Sequence, residues 1–132
     1  MSQRLTLLID FDGTLAKYEG WTGLDQLGDP LEKARHAMHI LARKYRIVCF
    51  TTRLPDYVEP WLLRWGFPKM KVTNYKEPAH LIIDDRALHF KGEWTDDFLK
   101  EIDAFQPHWK IKDAQAAPHQ DLASSTPTPD DQ

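Results

Sequence analysis

The stretch Leu5-Thr6-Leu7-Leu8-Ile9-Asp10-Phe11-Asp12-Gly13-Thr14 decides how the rest of the chain is read. A short run rich in Leu and Ile suits a strand buried on both faces, and it ends abruptly in acids and a glycine, as a strand emptying into a loop does. Asp10 and Asp12 alternate along such a strand, so both carboxylates reach one pocket only if the chain turns there. Gly13 makes that turn easy.

Outward from this stretch the pattern repeats. Asp29-Pro30 is expected to cap and open a helix whose apolar positions are Leu31, Ala34, Ala37, Met38, Leu41 and Ala42. Arg46–Thr51 reads as a second buried strand, and Val58, Trp61, Leu62 and Trp65 before Gly66 as a second helix, with Pro60 blurring its start. A short strand is expected around Lys71–Thr73. His80–Ile83 is a further apolar run ending in Asp84-Asp85, and Thr95 caps a last helix to Phe105. Strands alternating with helices predict an α/β fold, a doubly wound, Rossmann-like parallel sheet with helices on both faces.

The chain has 132 residues, 42% hydrophobic and 28% charged, which suits one soluble domain and leaves no room for a second. That domain is expected to span residues 1–112. From Asp113 the composition shifts to Ala, Pro, Ser, Thr, Gln and Asp without periodicity, so residues 113–132 are expected to form a disordered acidic tail. The tail holds four acids and no Lys or Arg, so a net charge of −3 becomes +1 for the body. Neither value predicts a broad basic face for nucleic acid. One cysteine forbids an intrachain disulfide, and the start of the chain holds no apolar stretch long enough for a signal core or membrane span, so a cytoplasmic location is expected.

In open parallel sheets ligands bind beyond the carboxyl ends of the strands, where residues distant in sequence meet. The reactive strand ends here are Asp10-Phe11-Asp12-Gly13-Thr14, Thr51-Thr52-Arg53 and Asp84-Asp85, with Lys76 ahead of the last. Gathering Asp10, Asp12, Asp84 and Asp85 would raise some of their own pKa values unless a cation neutralised them. Magnesium is the cation suited to hard oxygen ligands beside a phosphate.

Taken singly, these features have plainer readings. Asp-x-Asp-Gly-Thr can be a solvated turn, Thr51 and Thr52 strand-end residues, and Lys76 surface charge. Asp84-Asp85 resists that reading, because adjacent acids at a strand mouth repel each other. The histidines show no metal-ligand spacing. Trp61 and Trp65 share a helical face and read as core, and Trp21 and Trp94 as packing residues before covers of a site mouth or stacking partners of a substrate.

The ordered set, Asp10-Phe11-Asp12-Gly13-Thr14, then Thr51, Lys76 and Asp84-Asp85, resembles the four motifs of the haloacid dehalogenase superfamily across roughly residues 5–95. The resemblance implies a magnesium-dependent phosphohydrolase in which Asp10 attacks phosphorus to form an aspartyl phosphate, and Asp12 is the general acid and base. It also implies that Thr51 binds a phosphoryl oxygen and that Lys76 neutralises it. Magnesium would be held by Asp10, the Asp12 carbonyl and Asp85, with Asp84 either behind these ligands or binding through water. Gly13, Thr52, Arg53 and Arg86 are added as candidates for contact with phosphate or substrate. The gaps where relatives insert a cap are short here, which implies an open, capless site serving a large substrate or closed by a second subunit in a homodimer. A nucleic-acid end phosphatase, a phosphotransferase and a non-catalytic binding module for magnesium and phosphate stay open as alternatives; no membrane partner is expected.

Overall fold

The structure is a computed structural model that describes residues 4–110. The expected tail, residues 113–132, and the last two residues of the expected domain lie outside the described residues. The element order is β1 (Thr6–Asp10), α1 (Ala34–Leu41), β2 (Arg46–Phe50), α2 (Pro55–Arg64), β3 (Lys71–Thr73), β4 (Leu81–Ile83) and α3 (Asp96–Ala104). The four strands form one parallel sheet in the order β3-β2-β1-β4. It is an α/β sheet flanked by helices.

The register explains which side chains meet. Leu7 pairs with Ile47 and Leu81, Ile9 with Cys49 and Ile83, and Cys49 with Val72, so these residues share one face. Ala34 and Met38 of α1 and Val58, Trp61 and Leu62 of α2 join that face in a single apolar core with Phe11, Leu15 and Phe67. Each fully buried aliphatic side chain in it contributes about 1.5–3 kcal/mol of hydrophobic stabilisation.

Both α1 and α2 therefore cover the same face. The cause is topological: β1, β2 and β3 step in one direction across the sheet, and crossovers of one hand place their helices on one side. Leu8 and Val48 are nonetheless fully buried on the opposite face. The chain then jumps back to place β4 beside β1, through a connection without a helix. This reversal puts a topological switch point between β1 and β4.

Three local expectations are corrected. Asp29 does not cap α1, which starts at Ala34 after Lys33 in the left-handed region at φ 67°. Residues before it are instead drawn against the loop after β1: the Lys17 N–H donates to the Asp29 carbonyl at 2.7 Å and the Leu31 N–H to the Leu15 carbonyl at 2.8 Å. Strand β4 is not buried, since Leu81 is 50% and Ile82 38% exposed, as an edge strand without helix cover allows. Finally, α2 runs through Pro60, which lies inside the helix, starting after Leu54 with Pro55 in the first turn.

The expected last helix is present. Helix α3 has Thr95 as N-cap, its hydroxyl oxygen accepting from the Phe98 N–H at 3.1 Å. No helix among the described residues is long and apolar enough to cross a membrane.

Candidate metal and acid site

The switch point gathers the acids. Asp10 ends β1 and Asp84 follows β4, and since Ile9 pairs with Ile83 the next step of the register sets Asp10 beside Asp84. Asp85 completes a group with Asp10 and Asp84 in which one carboxylate oxygen from each lies within 4.8 Å of the others. The carboxyl of Asp10 is pushed up to about 9, first by burial, then by its hydrogen bond with Asp85 and by the negative charges of Asp84 and Asp85. Asp84 is also raised, chiefly by burial. A cation beside such clustered acids would favour their carboxylate forms.

Gly13 is a structural requirement of that cluster. It sits at φ +84°, and a Cβ there would stand 2.2 Å from Oδ2 of Asp85. Its N–H donates to the Ala16 carbonyl at 2.8 Å, so this group closes the turn and is not offered to a phosphate, which corrects its expected role. The Phe11 carbonyl accepts from the N–H groups of Thr14, Leu15 and Ala16, tightening the same turn.

Asp85 Oδ2 accepts from the Trp109 indole N–H at 2.7 Å, and Asp85 Oδ1 is buried with no hydrogen-bond partner among the described residues. A buried carboxylate oxygen left without a donor is suited to a cation. The donor set is all carboxylate oxygen, so the three aspartates fit a hard metal ion.

Asp12 does not join this group, although four clustered acids were anticipated. Its Oδ2 accepts from Arg53 Nε at 2.7 Å, while Oδ1 is buried without a hydrogen-bond partner among the described residues. Arg53 is only 1% exposed. Its other donors reach the carbonyls of Gly23 and Leu24 from Nη1, at 2.8 and 2.7 Å, and of Gln26 from Nη2, at 3.0 Å. The expectation that Arg53 reaches phosphate is thus corrected: its fork is spent on Asp12 and on the loop after β1.

Thr51 is buried at the end of β2, its hydroxyl oxygen accepting from the Arg53 N–H at 3.1 Å. Thr51, Thr52 and Arg86 line a cavity of about 570 Å³ together with Asp10, Asp12 and Asp84. Tyr18, Trp21, Leu24, Phe50 and Asn74 form the remainder of its wall. Lys76 is not brought there. It is exposed in the connection before β4, and it lines a different cavity that also touches Asp84.

Sequence reasoning missed His108, Trp109, Tyr18 and Asn74. His108 Nε2 lies 2.6 Å from the Gly13 carbonyl, and Tyr18 meets Trp109 edge to face at 4.8 Å. No spacing rule links residues 108 and 109 to the acids; the apolar bulk of Trp109 amid polar neighbours was the only available signal.

No protein-family model matches the chain, and no curated protein matches it. Among solved structures it is similar to a conserved protein from Bacteroides thetaiotaomicron, with 18% identity and a TM-score of 0.54, over 96% of this chain and 100% of that one. That likeness extends to the fold alone.

Proposed function

We propose that this protein is a magnesium-dependent phosphohydrolase of the haloacid dehalogenase type, acting through an aspartyl phosphate on Asp10. One observation carries the reading: Asp10, Asp84 and Asp85 converge at the carboxyl ends of two adjacent parallel strands, beside a cavity that also receives Asp12 and Thr51. The order of these residues in the chain supports it independently.

A bound magnesium ion would be held by Asp10, Asp84 and Asp85, and would supply charge neutralisation for the phosphoryl oxygens. Asp10 attacks phosphorus with a carboxylate oxygen, and the bond from phosphorus to the leaving oxygen breaks. Asp12 gives that oxygen its proton. In the second half Asp12, now a carboxylate, takes a proton from water, whose oxygen attacks phosphorus and breaks its bond to Asp10. Inorganic phosphate leaves and Asp10 is restored. Arg53 holds Asp12 by Oδ2, while Oδ1 has no hydrogen-bond partner among the described residues. Thr51 lines the same cavity, which supports a role for its hydroxyl as a donor to a phosphoryl oxygen.

The test is magnesium-dependent phosphate release from a panel of phosphoesters, beside Asp10→Asn. Activity lost in the variant and on chelation supports the reading. Magnesium binding without turnover by the wild type would favour a binding module, and transfer to an added alcohol a phosphotransferase. A cytoplasmic setting and a homodimer belong to the same reading, and sedimentation tests the latter.

A further inference from the structure

We infer that the substrate is a small phosphomonoester whose alcohol portion carries a flat ring, and that Trp21 is the surface on which this ring lies. The inference rests on the phosphohydrolase reading and names the class of molecule it serves.

The cavity wall is of two kinds: Asp10, Asp12, Asp84 and Thr51 are polar, whereas Trp21, Leu24 and Phe50 offer apolar surface. Its volume of about 570 Å³ lies within the range of roughly 300–1,000 Å³ that encloses small ligands, and is far more than a phosphoryl group alone would fill. The apolar part of the wall is then available to the rest of the substrate.

Trp21 differs from the tryptophans that pack in the core. Trp61 and Trp109 are 8% and 5% exposed, whereas Trp21 is 40% exposed while lining the cavity. It is nevertheless held in place. The Arg53 guanidinium lies 4.6 Å from the centre of its ring, and the same guanidinium grips the carbonyls of Gly23, Leu24 and Gln26 just after it. An aromatic ring fixed before the ligand arrives leaves little ordering to be lost on binding. Stacking on such a ring is worth about 0.5–1.5 kcal/mol beyond area burial, and near the upper figure this is about tenfold in affinity.

The experiment compares kcat/KM of the wild type on phenyl phosphate, a nucleoside 5′-monophosphate, glycerol phosphate and an oligonucleotide bearing a 5′-phosphate. The ring-bearing small esters are expected to exceed glycerol phosphate by about tenfold, a ratio that Trp21→Ala brings close to one and Trp21→Phe largely keeps. Equal efficiency on all four, or preference for the oligonucleotide, overturns the inference while leaving the hydrolase reading intact. Should no ester be turned over, the hydrolase reading fails separately, and calorimetric binding of phenyl phosphate against glycerol phosphate to Asp10→Asn still decides the ring preference. The same calorimetry decides it if Trp21→Ala does not fold: tighter binding of phenyl phosphate supports the inference, and equal binding overturns it.

Discussion

Arg53 Nε donates to Oδ2 of Asp12 across 2.7 Å, joining the end of β2 to the acid that follows β1. The pair is buried on the arginine side, and three loop carbonyls depend on the same guanidinium. Removing one partner of a buried pair leaves the other charge uncompensated.

Arg53→Met is accordingly expected to cost about 3–5 kcal/mol, read as a lower denaturant midpoint. Arg53→Lys keeps the charge but not the fork, so it is expected to recover only part of the loss. Urea unfolding of the three proteins checks this; a midpoint for Arg53→Met equal to that of the wild type contradicts it.

The raised carboxyl of Asp10 gives a pH signature with a definite sign. Its value is about 9 in the fold and 3.8 as the ordinary value, so between these the native protein holds a proton that the unfolded chain releases. Stability of the metal-free protein from this group is therefore full below about 3.8 and falls as pH rises towards 9. Asp10→Asn should remove that slope, and magnesium should restore stability at neutral pH by replacing the proton. Denaturant midpoints of both proteins in chelator, from pH 5 to 9, provide the measurement; parallel pH curves for the two would refute the expectation.

Gly13 tolerates no side chain on two counts, its φ of +84° and the proximity of Asp85 Oδ2. A non-glycine residue in the left-handed region alone costs of order 1–3 kcal/mol. Gly13→Ala should lose that stability and also weaken magnesium binding, because Asp85 must move. Calorimetric titration with magnesium separates the two effects; unchanged affinity would show that Asp85 does not need its present position.

How much of this was legible in the sequence depended on whether a residue's role is local. β1, β2 and the acids at the ends of β1 and β4 were visible, because a buried parallel strand announces itself as an apolar run and its end as a change of polarity. The start of α1 was misplaced because Asp29-Pro30 carries an intact capping signal. Contacts of residues 29–31 with the loop at Leu15 and Lys17 outweigh it. Arg53 looked like a phosphate ligand from its place after Thr51, yet its role is set by carbonyls about thirty residues earlier in the chain, which no local pattern encodes. Lys76 stands where the resemblance expects a lysine in the order of motifs, but it lines a different cavity from the one at Asp10. Trp109 and His108 brace Asp85 and Gly13 from far downstream, and only the fold reveals them.

The proposed reaction turns on phosphorylation of Asp10. The most direct measurement is borohydride trapping during turnover with magnesium and a saturating phosphoester, followed by mass analysis of the tryptic peptide covering residues 5–17. An acyl phosphate at Asp10 would be reduced to homoserine at that position, in the wild type and only with substrate present. Phosphate release at full rate with Asp10 never reduced, or reduction at another acid instead, would rule out Asp10 as the nucleophile.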